Sequence, residues 1–312
     1  MNKHYDVLII GSGPSGCTAG IYTVRSGLRT AIFTGSNVGG QLTITTDVEN
    51  FPGFPKSIGG LELTDKILKQ AENVGAEVIY STVDSVNFDD KPFRCISDTE
   101  TYTADYIIIA TGARAKWLGL ESEKKFSGYG VSGCATCDGN FFRNQVVAVV
   151  GGGDTAGMEA LHMANIASKV YLIYRKSNFI RMQNTIAKQV LNNSKIEVIF
   201  DSEIEEILGN EKPISVESIR IFNNKTDVKS EINVKAVFVA IGRKPESDIF
   251  KNTKLNIDES GYIVTEPDSS RTNIKNVYAV GDVTNKKFKQ AVIAAGFGAI
   301  AALEIEEDRN DT

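Results

Sequence analysis

Metal-ligand side chains are scarce in this chain of 312 residues, which has four cysteines and two histidines. A structural zinc site needs about four nitrogen or sulfur ligands in close register. His4 and His162 show no such spacing, and neither Cys17 nor Cys95 makes a second CxxC to match Cys134 and Cys137. A metal centre is therefore not expected. Runs of lysine and arginine are also missing and the net charge is −5, which argues against a nucleic-acid surface. The longest apolar stretch, residues 291–303, is too short to span a bilayer and contains Gly296 and Gly298, so it reads as a buried helix. An apolar strand at residues 6–10 leaves no room for a signal peptide before it, and a cytoplasmic, membrane-free protein is expected. The acidic residues 304–311 read as a solvated, frayed end.

What the chain does have is a repeat. Val7-Leu8-Ile9-Ile10-Gly11-Ser12-Gly13-Pro14-Ser15-Gly16 reads as a strand, a glycine turn and a helix start, and residues 147–156 repeat that plan. Each copy is followed by a helical stretch and a second apolar strand, at residues 31–33 and 170–173. Each half closes on a further strand, at residues 106–112 and 236–242. This βαβ order predicts an α/β protein with two Rossmann-like, three-layer nucleotide-binding domains. Residues 77–86 and 197–207, beside turn signals, read as antiparallel ribbons. The segment after Gly242 lacks a nucleotide turn of its own, so it must complete an earlier domain. The economical arrangement is a first domain of residues 1–113 and 243–312, with a second of 114–242 inserted into it.

The two turns suit the same chemistry. Gly11 and Gly13 let the backbone bend and approach a pyrophosphate, Pro14 and Ser15 open the helix, and Gly16 lets helix and strand pack closely. Amides at the helix start stabilise the phosphates. After the second strand of the first copy come Thr34-Gly35-Ser36, where an NAD site would place an acid, so this first site is not a simple NAD site. The second turn has Gly151, Gly153, Asp154, Thr155 and Ala156, the alanine variant of the fingerprint. Its second strand ends in Arg175 and Lys176, with Arg181 beyond, and cations there favour the 2′-phosphate of NADP. Cys134-Ala135-Thr136-Cys137 precedes this second turn. Two cysteines so spaced can close a disulfide within one turn, with a lowered thiol pKa. A thiol pair beside two nucleotide sites suggests an electron path from one carrier through a second to sulfur.

With these pieces in place, the chain closely resembles the low-molecular-weight bacterial thioredoxin reductases from end to end. The matching motifs are the first glycine turn, Gly39-Gly40-Gln41-Leu42, Glu49-Asn50-Phe51-Pro52-Gly53, Ala110-Thr111-Gly112, residues 134–139, residues 151–156 and Gly281-Asp282. The resemblance implies FAD in the first domain, NADPH in the second, a homodimer, and thioredoxin as the disulfide substrate. It implies that residues 11–16 and 34–41 (Thr34, Gly35, Gly40 and Gln41 among them), Asn50 and residues 282–291 hold FAD. Asp282, after Gly281, would bond the ribityl chain, Lys289 would belong to the segment that holds FAD, and Gln290 and Ala291 would lie near the flavin ring. It further implies that Cys137 faces the flavin, that Cys134 attacks thioredoxin, and that Asp138 moves the proton a leaving thiolate requires. A rotation of the second domain about linkers near residues 113–119 and 242–246 is also implied.

The chain departs from the family pattern at a few positions. Tyr174-Arg175-Lys176 stands where relatives carry His-Arg-Arg, and Ile180-Arg181 shifts the last cation by one place. Lysine cannot reproduce a bidentate guanidinium, so a weaker preference for NADPH is expected. Met158 replaces a common glutamate and Lys289 a common arginine. Two other readings are a ferredoxin- or flavodoxin-coupled NADP reductase and a redox-sensing flavoprotein without turnover. The first would lack the thiol pair, and both nucleotide turns weigh against the second.

Overall fold

A computed structural model describes residues 3–45, 47–284 and 288–310. The chain divides into two compact units, Met1–Arg114 with Lys244–Thr312, and Ala115–Arg243.

In the first unit, strand Lys3–Ile10 lies between Thr30–Phe33 and Glu100–Ile109 and is parallel to both. Its unbroken apolar run suits a strand covered on both faces. Val7 and Ile9 pack with Cys17, Ile21 and Ile305 on the helical side, while Leu8 and Ile10 pack with Phe88, Phe93 and Phe250 on the other. Strand Glu100–Ile109 has two partners along one edge. Its first half pairs antiparallel with Phe93–Ser97, and Ile107 to Ile109 pair parallel with Val277–Ala279. The segment after the inserted unit thus rejoins the first sheet.

The helix Ala291–Asn310 packs along the helix Pro14–Arg25. Gly298 permits the approach: a Cβ there would lie 2.1 Å from the Ser15 carbonyl oxygen. The acidic residues from Glu304 onward are not frayed. They stay helical through Asn310, and Arg271 bonds Glu304 at 3.0 Å, Glu307 at 2.7 Å and Asp308 at 2.7 Å. Ser270 and Tyr278 donate to the same carboxylates. A partner more than thirty residues upstream, invisible to local pattern, turns a charged run into a latch.

The second unit holds a parallel sheet in the order Ile196–Ile199, Lys169–Ile173, Val146–Val150, Ala236–Val239, Val131–Ser132. Helix Asp154–Ile166 covers one face through Ala156, Ala160 and Met163, and helix Asn184–Asn192 joins it through Val190. A three-stranded antiparallel sheet, Ser202–Glu211, Ile214–Asn223 and Lys229–Asn233, covers the other. The second unit is therefore three-layered. The expected ribbons form only in part: Ser85–Asn87 and Ser202–Glu211 are antiparallel, but Glu77–Ile79 and Ile196–Ile199 join the parallel sheets. Each of these short strands follows a crossover helix, and a right-handed crossover returns the chain parallel to the strand it left.

The segments joining the units, Ala113–Ala115 and Arg243–Pro245, pair as a two-stranded sheet. Among the described residues, no helix is long and apolar enough to cross a membrane.

Candidate active site

The first glycine turn is built by exclusion. Gly11 has φ +118°, and a Cβ on it would lie 2.3 Å from the Ala110 carbonyl oxygen. A Cβ on Gly16 would lie 1.9 Å from the Gly11 carbonyl oxygen. Gly13 differs: a Cβ there would meet only the Gly39 oxygen, at 4.0 Å, so the space beside its amide is open. That opening, at the start of a helix with Pro14 in its first turn, fits a pyrophosphate.

Distant segments converge on this turn. Ser12 donates its hydroxyl to the Thr34 carbonyl at 3.1 Å and accepts from the Gly39 amide at 3.0 Å, which draws residues 34–40 onto the turn. The amides of Thr34 and Gly35 are anchored by the carbonyls of Ile79 and Ser81. A Cβ on Gly40 would lie 3.4 Å from the Gly13 Cα, and Gln41 is exposed in the 3-10 turn that follows. Gly281, at φ +74°, approaches so closely that a Cβ would lie 2.7 Å from the Ser15 hydroxyl. Lys289 donates to the Asp282 carbonyl at 3.0 Å and covers the Tyr262 ring. Asn50 donates to Gln290 at 3.1 Å across 240 positions of sequence, and Ala291 opens the last helix. The residues expected at the flavin are thus gathered in one place, apart from Asn285, Lys286 and Lys287, which lie outside the described residues. Sequence reasoning placed Ser12 within the flavin turn but missed its role as the clasp to residues 34–40, because it occupies a free position of the glycine fingerprint.

The second turn repeats the design. Gly151 has φ +147° with a would-be Cβ 2.4 Å from the Ala240 carbonyl oxygen, while the space at Gly153 is open within 4 Å. Ala156 is buried, its methyl filling the gap that Gly16 must leave empty in the first copy. Asp154 accepts from the Gln183 amide at 2.6 Å, and the Gly153 backbone bridges to Arg181. Both contacts pin residues 181–183 beside the turn, next to the exposed Thr155. Tyr174 stacks on Phe179 with ring centroids 5.8 Å apart, and a Cβ on Gly152 would collide with its ring. Arg175, Lys176 and Arg181 are all exposed, and none makes an ion pair among the described residues. Three free cations around an open glycine turn fit an additional phosphate.

Cys134 and Cys137 are joined as a disulfide, with Cα atoms 5.3 Å apart. Cys134 precedes the single-turn helix Ala135–Asp138, and its amide donates to the Ser132 hydroxyl at 3.0 Å. The amides of Cys137 and Asp138 both donate to the Cys134 carbonyl. This redox turn packs on the helix that starts at the second glycine turn. Ala135 shares a core with Ala156, Ala160 and Met163, and a Cβ on Gly139 would lie 2.5 Å from the Met163 sulfur. Arg243 holds the Gly133 carbonyl at 3.2 Å from the other side. The remaining thiols are of another kind. Cys17 and Cys95 are buried, and burial pushes both up to about 12, so neither forms a thiolate near neutrality.

Comparison with known proteins agrees with this geometry. Residues 5–298 match the family model of the pyridine nucleotide-disulphide oxidoreductases. A thioredoxin reductase of Rickettsia bellii is 48% identical, over 97% of this chain and 98% of its own. The solved thioredoxin reductase of Giardia duodenalis is 41% identical with a TM-score of 0.93, covering 98% of this chain and 99% of its own. That of Streptococcus pyogenes is 37% identical with a TM-score of 0.92, covering 100% of both chains. Flavin and pyridine nucleotide use go with this family. The chain belongs to the pyridine nucleotide-disulphide oxidoreductases, and within them to the thioredoxin reductases.

Proposed function

We propose that this protein reduces the disulfide of a thioredoxin with electrons from NADPH, using FAD held in the unit formed by residues 1–114 and 244–312. The observation that carries the reading is the placement of the Cys134–Cys137 disulfide on the helix that begins at the second nucleotide turn. A ferredoxin- or flavodoxin-coupled NADP reductase has no use for a thiol pair there.

In this reading Gly11 to Gly16, Thr34, Gly35, Gly40, Gln41, Asn50, Gly281, Asp282 and Lys289 to Ala291 hold FAD. Gly151 to Ala156, Arg175, Lys176 and Arg181 hold NADPH. Bound FAD supplies the step that turns a hydride from NADPH into an electron pair for sulfur. The chain's own part begins when the Cys134–Cys137 bond opens, one sulfur leaving as thiol and the other as thiolate. Cys134, the more N-terminal sulfur, attacks the partner disulfide; Cys137 then attacks Cys134, releasing the reduced partner and closing the pair. Each leaving thiolate needs a proton, and in this reading Asp138, next to Cys137, gives it. A homodimer in the cytoplasm completes the reading.

The test is NADPH oxidation followed at 340 nm with and without oxidised thioredoxin. Turnover that depends on thioredoxin supports the proposal. Steady oxidation unaffected by thioredoxin but driven by ferredoxin or flavodoxin would replace it with the coupled-reductase reading.

A further inference from the structure

Glu159 is a buried carboxylate that the reaction outlined above does not use. It lies on the helix Asp154–Ile166, one turn before Met163, whose sulfur packs against Gly139 at the end of the redox turn. It therefore sits on the helix face turned toward the disulfide. One of its oxygens, Oε2, is shielded from solvent and has no hydrogen-bond partner. The amide of Ala135 points at the carboxylate. That amide opens a helical turn and has no acceptor within it, so the carboxylate faces an otherwise orphaned donor. Arg243 supplies the opposing charge, and it also holds the Gly133 carbonyl. Arg243 thus holds the peptide unit before Cys134, and Glu159 faces the one after it.

We propose that Glu159 is a positioning residue of the disulfide centre: ionised, it holds the Ala135 amide and with it Cys134, and it takes or sheds a proton in step with the charge on the Cys134 sulfur. The proposal rests on the reductase reading for its biological sense but not for its test. Reduction breaks the Sγ–Sγ bond with two electrons, from NADPH by way of flavin or from an added dithiol. One sulfur becomes a thiol and the other a thiolate, and the proton that Glu159 takes up comes from solvent. Burial pushes the Glu159 carboxyl up to about 7, against the pull of Arg243 and the Ala135 amide. A small change in nearby charge therefore tips it at neutral pH.

The surroundings restrict which groups can share this titration. The redox turn presents Cys134, Cys137 and Asp138, and Arg243 is the charge from the linker strand. His162 lies one turn along the same helix, with burial lowering its pKa, so it adds no charge at neutrality. The sheet beneath offers Val147 and Val149, the helix Asn184–Asn192 offers Ile186 and Ala187, and the turn Gly139–Phe142 offers Phe142. Asp138, on the redox turn itself, is thus the rival carboxylate to test.

The experiment is the rate of alkylation of Cys134 by iodoacetamide between pH 5 and 10, in holoenzyme reduced with excess dithiothreitol and with the site located by mass spectrometry. The wild type should show an inflection near pH 7 below the main thiol titration, and Glu159→Gln should lose it. Removing the like charge should make Glu159→Gln react about three- to tenfold faster at pH 8, where wild-type Glu159 is ionised. At pH 5.5, where wild-type Glu159 is protonated, the two rates should agree within about twofold. Flavin content and thermal melting of the variant check its folding. A Glu159→Gln rate that differs from wild type by one factor at every pH is a structural effect and overturns the proposal. So does an inflection that survives in Glu159→Gln but disappears in Asp138→Asn. Absence of thioredoxin turnover in a wild type that shows the inflection would strike the substrate reading and leave this one standing.

Discussion

Two alanine substitutions, one turn apart in the same glycine motif, should have opposite consequences. At Gly16, alanine has the better helix propensity, worth about 1 kcal/mol. Its Cβ, however, would lie 1.9 Å from the Gly11 carbonyl oxygen and 3.2 Å from the Ala110 Cβ, and both are fixed by the sheet. Overpacking of this kind costs about 1–3 kcal/mol and more when backbone must move, so the propensity gain is outweighed. Gly16→Ala should lower the stability of the apoprotein by about 2 kcal/mol or more. At Gly13 the backbone is at φ −67°, ψ 178°, open to any residue, and the nearest neighbour of a Cβ is 4.0 Å away. Gly13→Ala should therefore leave the apoprotein unchanged or about 0.4–1 kcal/mol more stable, since the unfolded chain loses freedom. Its methyl, though, occupies the space expected for the pyrophosphate. Loss of two charge-assisted amide contacts, each about 1.5–3 kcal/mol, predicts flavin binding weakened about a hundredfold or more. The assay is absorbance at 450 nm after gel filtration, with thermal melting of flavin-stripped protein. Gly13→Ala that retains full flavin while melting like the wild type would refute the placement of the phosphates.

Gly153→Ala, whose Cβ also meets nothing within 4 Å, should keep flavin but raise the KM for NADPH at least tenfold; an unchanged KM would exclude the second turn as the nucleotide site. Neutralising Arg175 should lower kcat/KM for NADPH roughly ten- to a hundredfold and leave NADH almost untouched, and a wild type preferring NADH would show the three cations to be ordinary surface. Cys134→Ser should abolish thioredoxin reduction while NADPH still bleaches the flavin, whereas retained turnover would move the attack to the other sulfur. The Arg271 latch holds the Asp308 carboxyl below the ordinary carboxylate range. Its stabilisation is therefore complete above about pH 4 and is lost as pH falls below it. Arg271→Ala should lower the melting temperature at pH 7 and narrow that difference in acid; a constant difference at every pH would remove the latch from the account.

The glycine turns and the strands around them were legible because their constraints are local. A residue such as Gly11 or Gly151 is dictated by its own backbone angle and by the strand beside it. The C-terminal latch was not legible, since Glu304 and Asp308 look like solvated surface until Arg271 is brought beside them. The short strands Glu77–Ile79 and Ile196–Ile199 were recognised as β structure but given the wrong partners. Local pattern reports extended backbone, whereas pairing is decided by where a crossover returns. The contact of Asn50 with Gln290 was visible only as two separate motifs. Glu159 carried no signal, because one glutamate in an alanine-rich helix looks like a solvated position until the redox turn covers it.

The double pairing along strand Glu100–Ile109 has a consequence for synthesis. The edge at Ile107 to Ile109 waits for Val277–Ala279, which leaves the ribosome about 170 residues later. At about 5–20 residues per second that interval is roughly ten to thirty seconds. The inserted unit, Ala115–Arg243, is continuous and free to fold during it. The nascent protein therefore has a finished second unit while its first sheet still shows three isoleucines along an open edge. Pairing with a neighbouring nascent chain is the natural misstep at that stage. If flavin is held as proposed, with Gly281 beside Ser15, it enters after that edge is closed.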